Sequence, residues 1–173
     1  MFKKNIVENG LYFVLMVFVF MCKSTFIEAA ETIEKVSRYY GVELDGVLAD
    51  GRKFSIGIQM DEYDCTSYTR TEGVTYWGTD GTCPLSIIKE IHFVLDGESI
   101  NFPVQSYLDL ANLHIPTGVY VKLKGKAVRI YLKGGDGAGS YKAVFEVLKN
   151  KLLSRLIIFR NKEGELETRL QPY

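Results

Sequence analysis

Asp61, Glu62, Asp64, Glu72 and Asp80 crowd one short region of the chain. Two such carboxyl groups at the right separation can serve as acid and base on a glycosidic bond. Solvated loop acids have the same composition, so the spacing alone does not choose between them. His92 sits in an alternating stretch beside Glu90 and Val94, and His114 sits near Pro116. Neither has a nucleophile at motif spacing, and the chain has no Gly-x-Ser-x-Gly elbow. No catalytic residue stands out. A hydrolase using loop carboxylates is the alternative to a binding or structural role.

The acids surround "CTSYTRTEGVTYWGTDGTC", which runs from Cys65 to Cys83. An even cysteine pair in an exported chain reads as a disulfide. Closing a loop of this length stabilises a fold by about 3 kcal/mol in the chain-entropy picture. Two cysteines and two distant histidines make poor zinc spacing. Tyr68, Tyr76 and Trp77 exceed what a plain turn needs. If they face water beside Arg70 and Asp80, they form the rim of a site for a sugar or peptide. If they pack inward, they are a small core under the disulfide.

Two further stretches invite chemistry. "GGDGAGSY" (134–141) has the glycines of an anion-binding loop, but it lacks Gly-Lys-Ser/Thr and lies between strand patterns. A hairpin loop that needs positive φ is the plainer reading. Asp136 alone falls far short of the oxygens a calcium ion takes. Neither a metal nor a cofactor is expected. Between Asp109 and Asp136 no acid occurs, yet Lys122, Lys124, Lys126, Arg129 and Lys133 do. Tyr120, Lys122 and Lys124 share one side of their strand, and Arg129, Tyr131 and Lys133 share one side of the next. Such a face suits an anionic polysaccharide or a lipid headgroup. Lysines that guard a sheet against edge pairing look the same.

The elements that must position these residues are strands. In "KFSIGIQM", Phe54, Ile56, Ile58 and Met60 alternate with polar or small residues, which means one buried face. Tyr40, Val42 and Leu44 alternate before it, and Asp50-Gly51 joins the two as a hairpin. "SIIKEIHFVL" leads through Asp96-Gly97 to "ESINF". "GVYVKLKGKAVRIYLKGG" turns near Gly125-Lys126, "SYKAVFEVLKNKLLSRLIIFR" turns at Lys149-Asn150-Lys151, and "RNKEGE" leads to a last strand, "LETRL". Val104, Tyr107, Leu108 and Ala111 fall at helical spacing, so a short helix from Pro103 to Asn112 is expected to cover one open end. Residues 30–38, "AETIEKVSR", read as a loose arm or the lead into the first strand. About nine strands with tight turns predict a mainly β domain, an antiparallel β-sandwich or partly closed barrel with one short helix.

Three segments, "GTDGTCP", "FPVQSYLDLAN" and "GGDGAGSY", resemble the landmarks of a family of small exported bacterial proteins without a characterised activity. The resemblance implies an exported single domain and brings no activity with it. The cysteine at position 83 is not expected throughout that family.

The start of the chain agrees with export. After Lys3 and Lys4, Leu11–Cys22 is apolar and only twelve residues long, where a bilayer span needs about 20. With "FIEAA" following, this reads as a signal peptide over 1–29 that is cleaved after Ala29, leaving 30–173 as one domain. An uncleaved anchor is the alternative. Lipidation at Cys22 is disfavoured by the bulky Phe20 and Met21 before it. Residues 30–173 hold 18 basic and 19 acidic side chains, a balance that points away from nucleic acid and from avid membrane binding. The expected role is non-catalytic, at the cell envelope or outside the cell. The expected partner is a glycan, a polyanion or an envelope protein, and no membrane span is expected after processing.

Overall fold

Two-residue turns set the hairpins. Asp96 and Gly97 both adopt positive φ, as do Lys149 and Asn150. That is the backbone twist that matches the right-handed twist of the flanking strands. The computed structural model describes residues 33–38 (backbone only), 41–67, 76–160 and 166–173. Over these the chain forms two antiparallel sheets of five strands, a β-sandwich. The first holds β1 (Ile33–Arg38), β2 (Gly41–Val47), β3 (Lys53–Glu62), β4 (Ser86–Leu95) and β5 (Glu98–Ile100), in that order. The second holds β6 (Val119–Lys124), β7 (Ala127–Gly134), β8 (Tyr141–Leu148), β9 (Lys151–Arg160) and β10 (Leu166–Pro172), each hydrogen-bonded to the next. The expected count falls one strand short, because the supposed loose arm is β1, paired with β2 along its length. The "RNKEGE" turn falls largely outside the described residues, as does the cleavage point after Ala29.

The inward set is the one the alternation predicts. Val42, Leu44, Phe54, Ile56, Ile58 and Met60 from the first sheet meet Val119, Val121, Val128, Ile130 and Leu132 from the second. Phe102 bridges them, edge-on to Phe93 at 6.3 Å and to Phe145 at 5.4 Å. Burying each such ring stabilises the fold by about 2–3 kcal/mol.

On β9 the alternation changes phase. Glu146 pairs with Ser154 but Val147 pairs with Leu152, so Leu153 is a bulge. One extra residue flips every side chain beyond it. Arg155 therefore points inward and is buried, while Leu156 and Ile158 point outward. The Arg155 guanidinium makes a two-pronged ion pair with Asp109 and donates to the Ser106 carbonyl (2.9 Å) and to Gln171 Oε1 (2.7 Å). A buried guanidinium needs such partners to offset its desolvation.

The Asp109 partner lies in the segment expected to be helical, and here the structure corrects the sequence reading. Only Val104–Ser106 forms a single 3₁₀ turn. Tyr107 and Ala111 are buried as the periodicity implied, but Val104 and Leu108 are exposed. Leu110 to Leu113 forms a strap that bends at Asn112 (φ +51°) and bridges to Trp77, to Ile87 of β4 and to Gly134 of β7. A helix would have satisfied these backbone groups internally. Instead, Trp77 N donates to the Asp109 carbonyl (2.8 Å), Ala111 N to the Trp77 carbonyl and Gly135 N to the Asn112 carbonyl (both 2.9 Å). The strap still does the covering job expected of the helix, through its own buried Leu110 and Ala111.

Candidate functional site

Cys65 and Cys83 are bonded, closing a loop with a sequence separation of 18. Tyr68, Arg70 and Glu72 lie outside the described residues. Tyr76 and Trp77 are half-buried and diverge, as neighbours on an extended chain must. Tyr76 stands edge-on to Tyr63 at 5.6 Å. Trp77 turns to the end of the sandwich, 4.7 Å from the Phe159 ring, with the Arg169 guanidinium 5.4 Å from its own ring. Asp80 is exposed. The structure thus does not join Tyr76 and Trp77 into one aromatic platform, and Trp77 serves as a lid on the core.

The nearby acids are engaged locally. Asp61 pairs with Lys89 at 3.5 Å. Asp64 Oδ1 accepts from the Thr66 hydroxyl (2.6 Å) and from Thr66 N (2.9 Å), and these bonds hold its carboxyl below the usual range. A groove of about 550 Å³ on the outer side of the first sheet is lined by Glu43, Gly57, Gln59, Asp61, Glu90 and His92, without Asp80. Among the described residues, no group of three or more His, Cys, Asp and Glu could hold a metal ion.

The three landmark segments meet at one junction. Asn112 donates through Nδ2 to the Gly78 carbonyl (2.9 Å), and its Oδ1 accepts from Leu85 N (2.9 Å) and Ser86 N (3.2 Å). The buried Tyr141 hydroxyl donates to the Ala111 carbonyl at 3.1 Å, and burial pushes its pKa up. Gly135 has φ +67°, and a Cβ there would lie 2.6 Å from Gly78 Cα. The glycines of "GGDGAGSY" serve backbone packing against "GTDG", which accounts for a phosphate-loop look without a phosphate loop.

The outer side of the second sheet brings together residues from all five strands. Leu170 pairs with Leu156, Leu156 with Val144, Val144 with Tyr131 and Tyr131 with Tyr120. These form one apolar rung across the whole sheet, about 19 Å from first strand to last at the usual strand spacing. Tyr120 and Tyr131 stack at 4.6 Å with planes 7° apart, and the Lys133 ammonium lies 5.3 Å from the Tyr120 ring centre. Burial, followed by the neighbouring Tyr131, pushes the Tyr120 phenol up. On one side of the rung runs Ile158–Lys142–Lys133, and on the other Ser154–Glu146–Arg129–Lys122. Glu146 is the one carboxylate at an outward position of this sheet among the described residues, and Arg129 binds it at 2.7 and 2.8 Å. That hydrogen bond leads the causes that raise the Arg129 pKa. The opposite outer side, on the first sheet, exposes Glu43, Asp45, Asp61 and Glu90 against Lys53 and Lys89. Among the described residues, the outer side of the second sheet is thus mainly basic and that of the first mainly acidic.

The basic β6–β7 hairpin is legible in the sequence, but its continuation onto β8, β9 and β10 is not. The signal that could have found it is "LETRLQP", whose leucines, four residues apart, share one side of a strand with no apolar set on the other. No family model matches the chain, and no curated protein or solved structure is significantly similar to it.

Proposed function

We propose that the protein is an exported, non-catalytic binding domain of the cell envelope or the space outside it, and that the outer side of the second sheet is its contact surface for an anionic partner. Export is supported by the disulfide, which suits an oxidising compartment, and by the short apolar start of the chain before "FIEAA". The resemblance of three segments to small exported proteins supports the same compartment.

The observation that carries the binding role is the pairing of cations with a stacked tyrosine pair on one sheet face, where the only outward carboxylate described is already held by Arg129. Lysines on both sides of a flat aromatic rung present positive charge on a rigid scaffold, which lowers the ordering cost of binding. Titration of the purified protein with a soluble sulfated polysaccharide tests this. Binding should weaken as salt rises. Lys133→Glu with Lys142→Glu should lower affinity by about tenfold or more. Affinity indifferent to both salt and the double reversal would contradict the reading.

A further inference from the structure

Resting on that reading, the geometry points to a more specific partner: we infer that the second sheet docks on the headgroup plane of an anionic lipid bilayer, with its apolar rung at the acyl boundary. The reason is the polarity of β10, which is the reverse of an ordinary sandwich strand. Leu166 and Leu170 point outward and are each 67% exposed, while Glu167, Arg169 and Gln171 point the other way. A soluble polyanion needs cations and hydrogen-bond donors but has no use for protruding leucines. A bilayer surface takes both, with apolar side chains just below the headgroups and cations among them.

The remaining residues of this side fit the same occupant. Leu156 and Ile158, both half-buried, carry the apolar strip from β10 onto β9, while Val144 on β8 is itself buried and only backs the strip from below. Tyr120 and Tyr131 end it with amphipathic rings, a residue type that favours the membrane–water boundary. Lys122, Lys133 and Lys142 flank the strip, and Arg129 neutralises Glu146, so an anionic plane meets little repulsion. Pairing two copies through this side would set lysine rows against each other, which disfavours self-association as the reason for the leucines.

Co-sedimentation with vesicles tests the inference, using phosphatidylglycerol mixed into phosphatidylcholine, phosphatidylcholine alone, and the soluble sulfated polysaccharide as a third arm. The variants are Leu166→Ser with Leu170→Ser, both exposed and remote from the core, and Lys133→Glu with Lys142→Glu. Unfolding curves establish that each pair folds. The protein should sediment with anionic vesicles and not with neutral ones. The leucine pair should lower vesicle partition by about tenfold while leaving polysaccharide affinity within about twofold. The lysine pair should lower both. Polysaccharide binding without vesicle binding, or vesicle binding indifferent to the leucines or to lipid charge, overturns the bilayer inference and leaves the anionic-partner reading standing. Binding to neither overturns both. Self-association abolished by the leucine pair, without vesicle binding, assigns the face to a second copy and overturns the bilayer.

Discussion

Trp77 and Tyr141 show what single residues do at the strap. Trp77 is half-buried, with its indole against Phe159 and its backbone hydrogen-bonded to the strap through Asp109 and Ala111. Trp77→Ala should therefore destabilise the fold by about 2–3 kcal/mol in urea unfolding and leave polysaccharide affinity unchanged. Loss of affinity without loss of stability would assign the ligand rim to the Cys65–Cys83 segment instead. Tyr141 makes a pH prediction. Burial, and then Asp109, push its phenol up, while Arg155 works the other way. A phenol with its folded pKa above the unfolded value of about 10 favours the folded state while protonated. That stability is fully present below about pH 10 and is lost as pH rises beyond it. Tyr141→Phe should cost about 1 kcal/mol near neutral pH through the lost hydrogen bond, and should flatten the alkaline fall in stability. Unfolding free energies measured at neutral and alkaline pH check both parts.

At the scale of elements, the hairpins were readable because their causes are local. Asp96-Gly97 and the Phe54-Ile56-Ile58-Met60 alternation act within a few residues. The strap was not readable. Val104, Tyr107, Leu108 and Ala111 do fall at helical spacing, but the partners that hold this backbone are Trp77, Ile87 and Gly134, all distant in sequence. The bulge at Leu153 hid more. Unbroken alternation would send Leu152, Leu156 and Ile158 to one side, whereas the shift sends the last two outward and Arg155 inward. That shift hid the part of the apolar rung that lies on β9. The cysteines, by contrast, are bonded as an even pair in an exported chain suggested. Replacing Cys65 and Cys83 with Ser should lower stability by about 3 kcal/mol at most, because the bond chiefly restricts the unfolded chain. Polysaccharide affinity should stay unchanged, since neither cysteine lies on the second sheet. Denaturant titration and the binding assay on the same variant check this.

Among the described residues, the two outer sides of the sandwich differ in charge. Composition alone, with 21 basic and 21 acidic residues, hides the difference and points away from charged surfaces. The alternation already groups Lys122, Arg129 and Lys133; the fold adds Lys142 to their side and places Glu43, Asp45, Asp61 and Glu90 exposed on the other sheet. Such segregation gives a neutral protein an oriented field, which steers it basic side first toward an anionic partner. The most direct test is a residue-resolved map of amide chemical shifts as the sulfated polysaccharide is titrated into the protein. The account predicts that the shifts that move centre on Tyr120, Lys122, Arg129, Tyr131, Lys133 and Lys142 and return as salt is added. Shifts centred on Glu43, Gly57 and His92, or on the segment from Cys65 to Cys83, would contradict it.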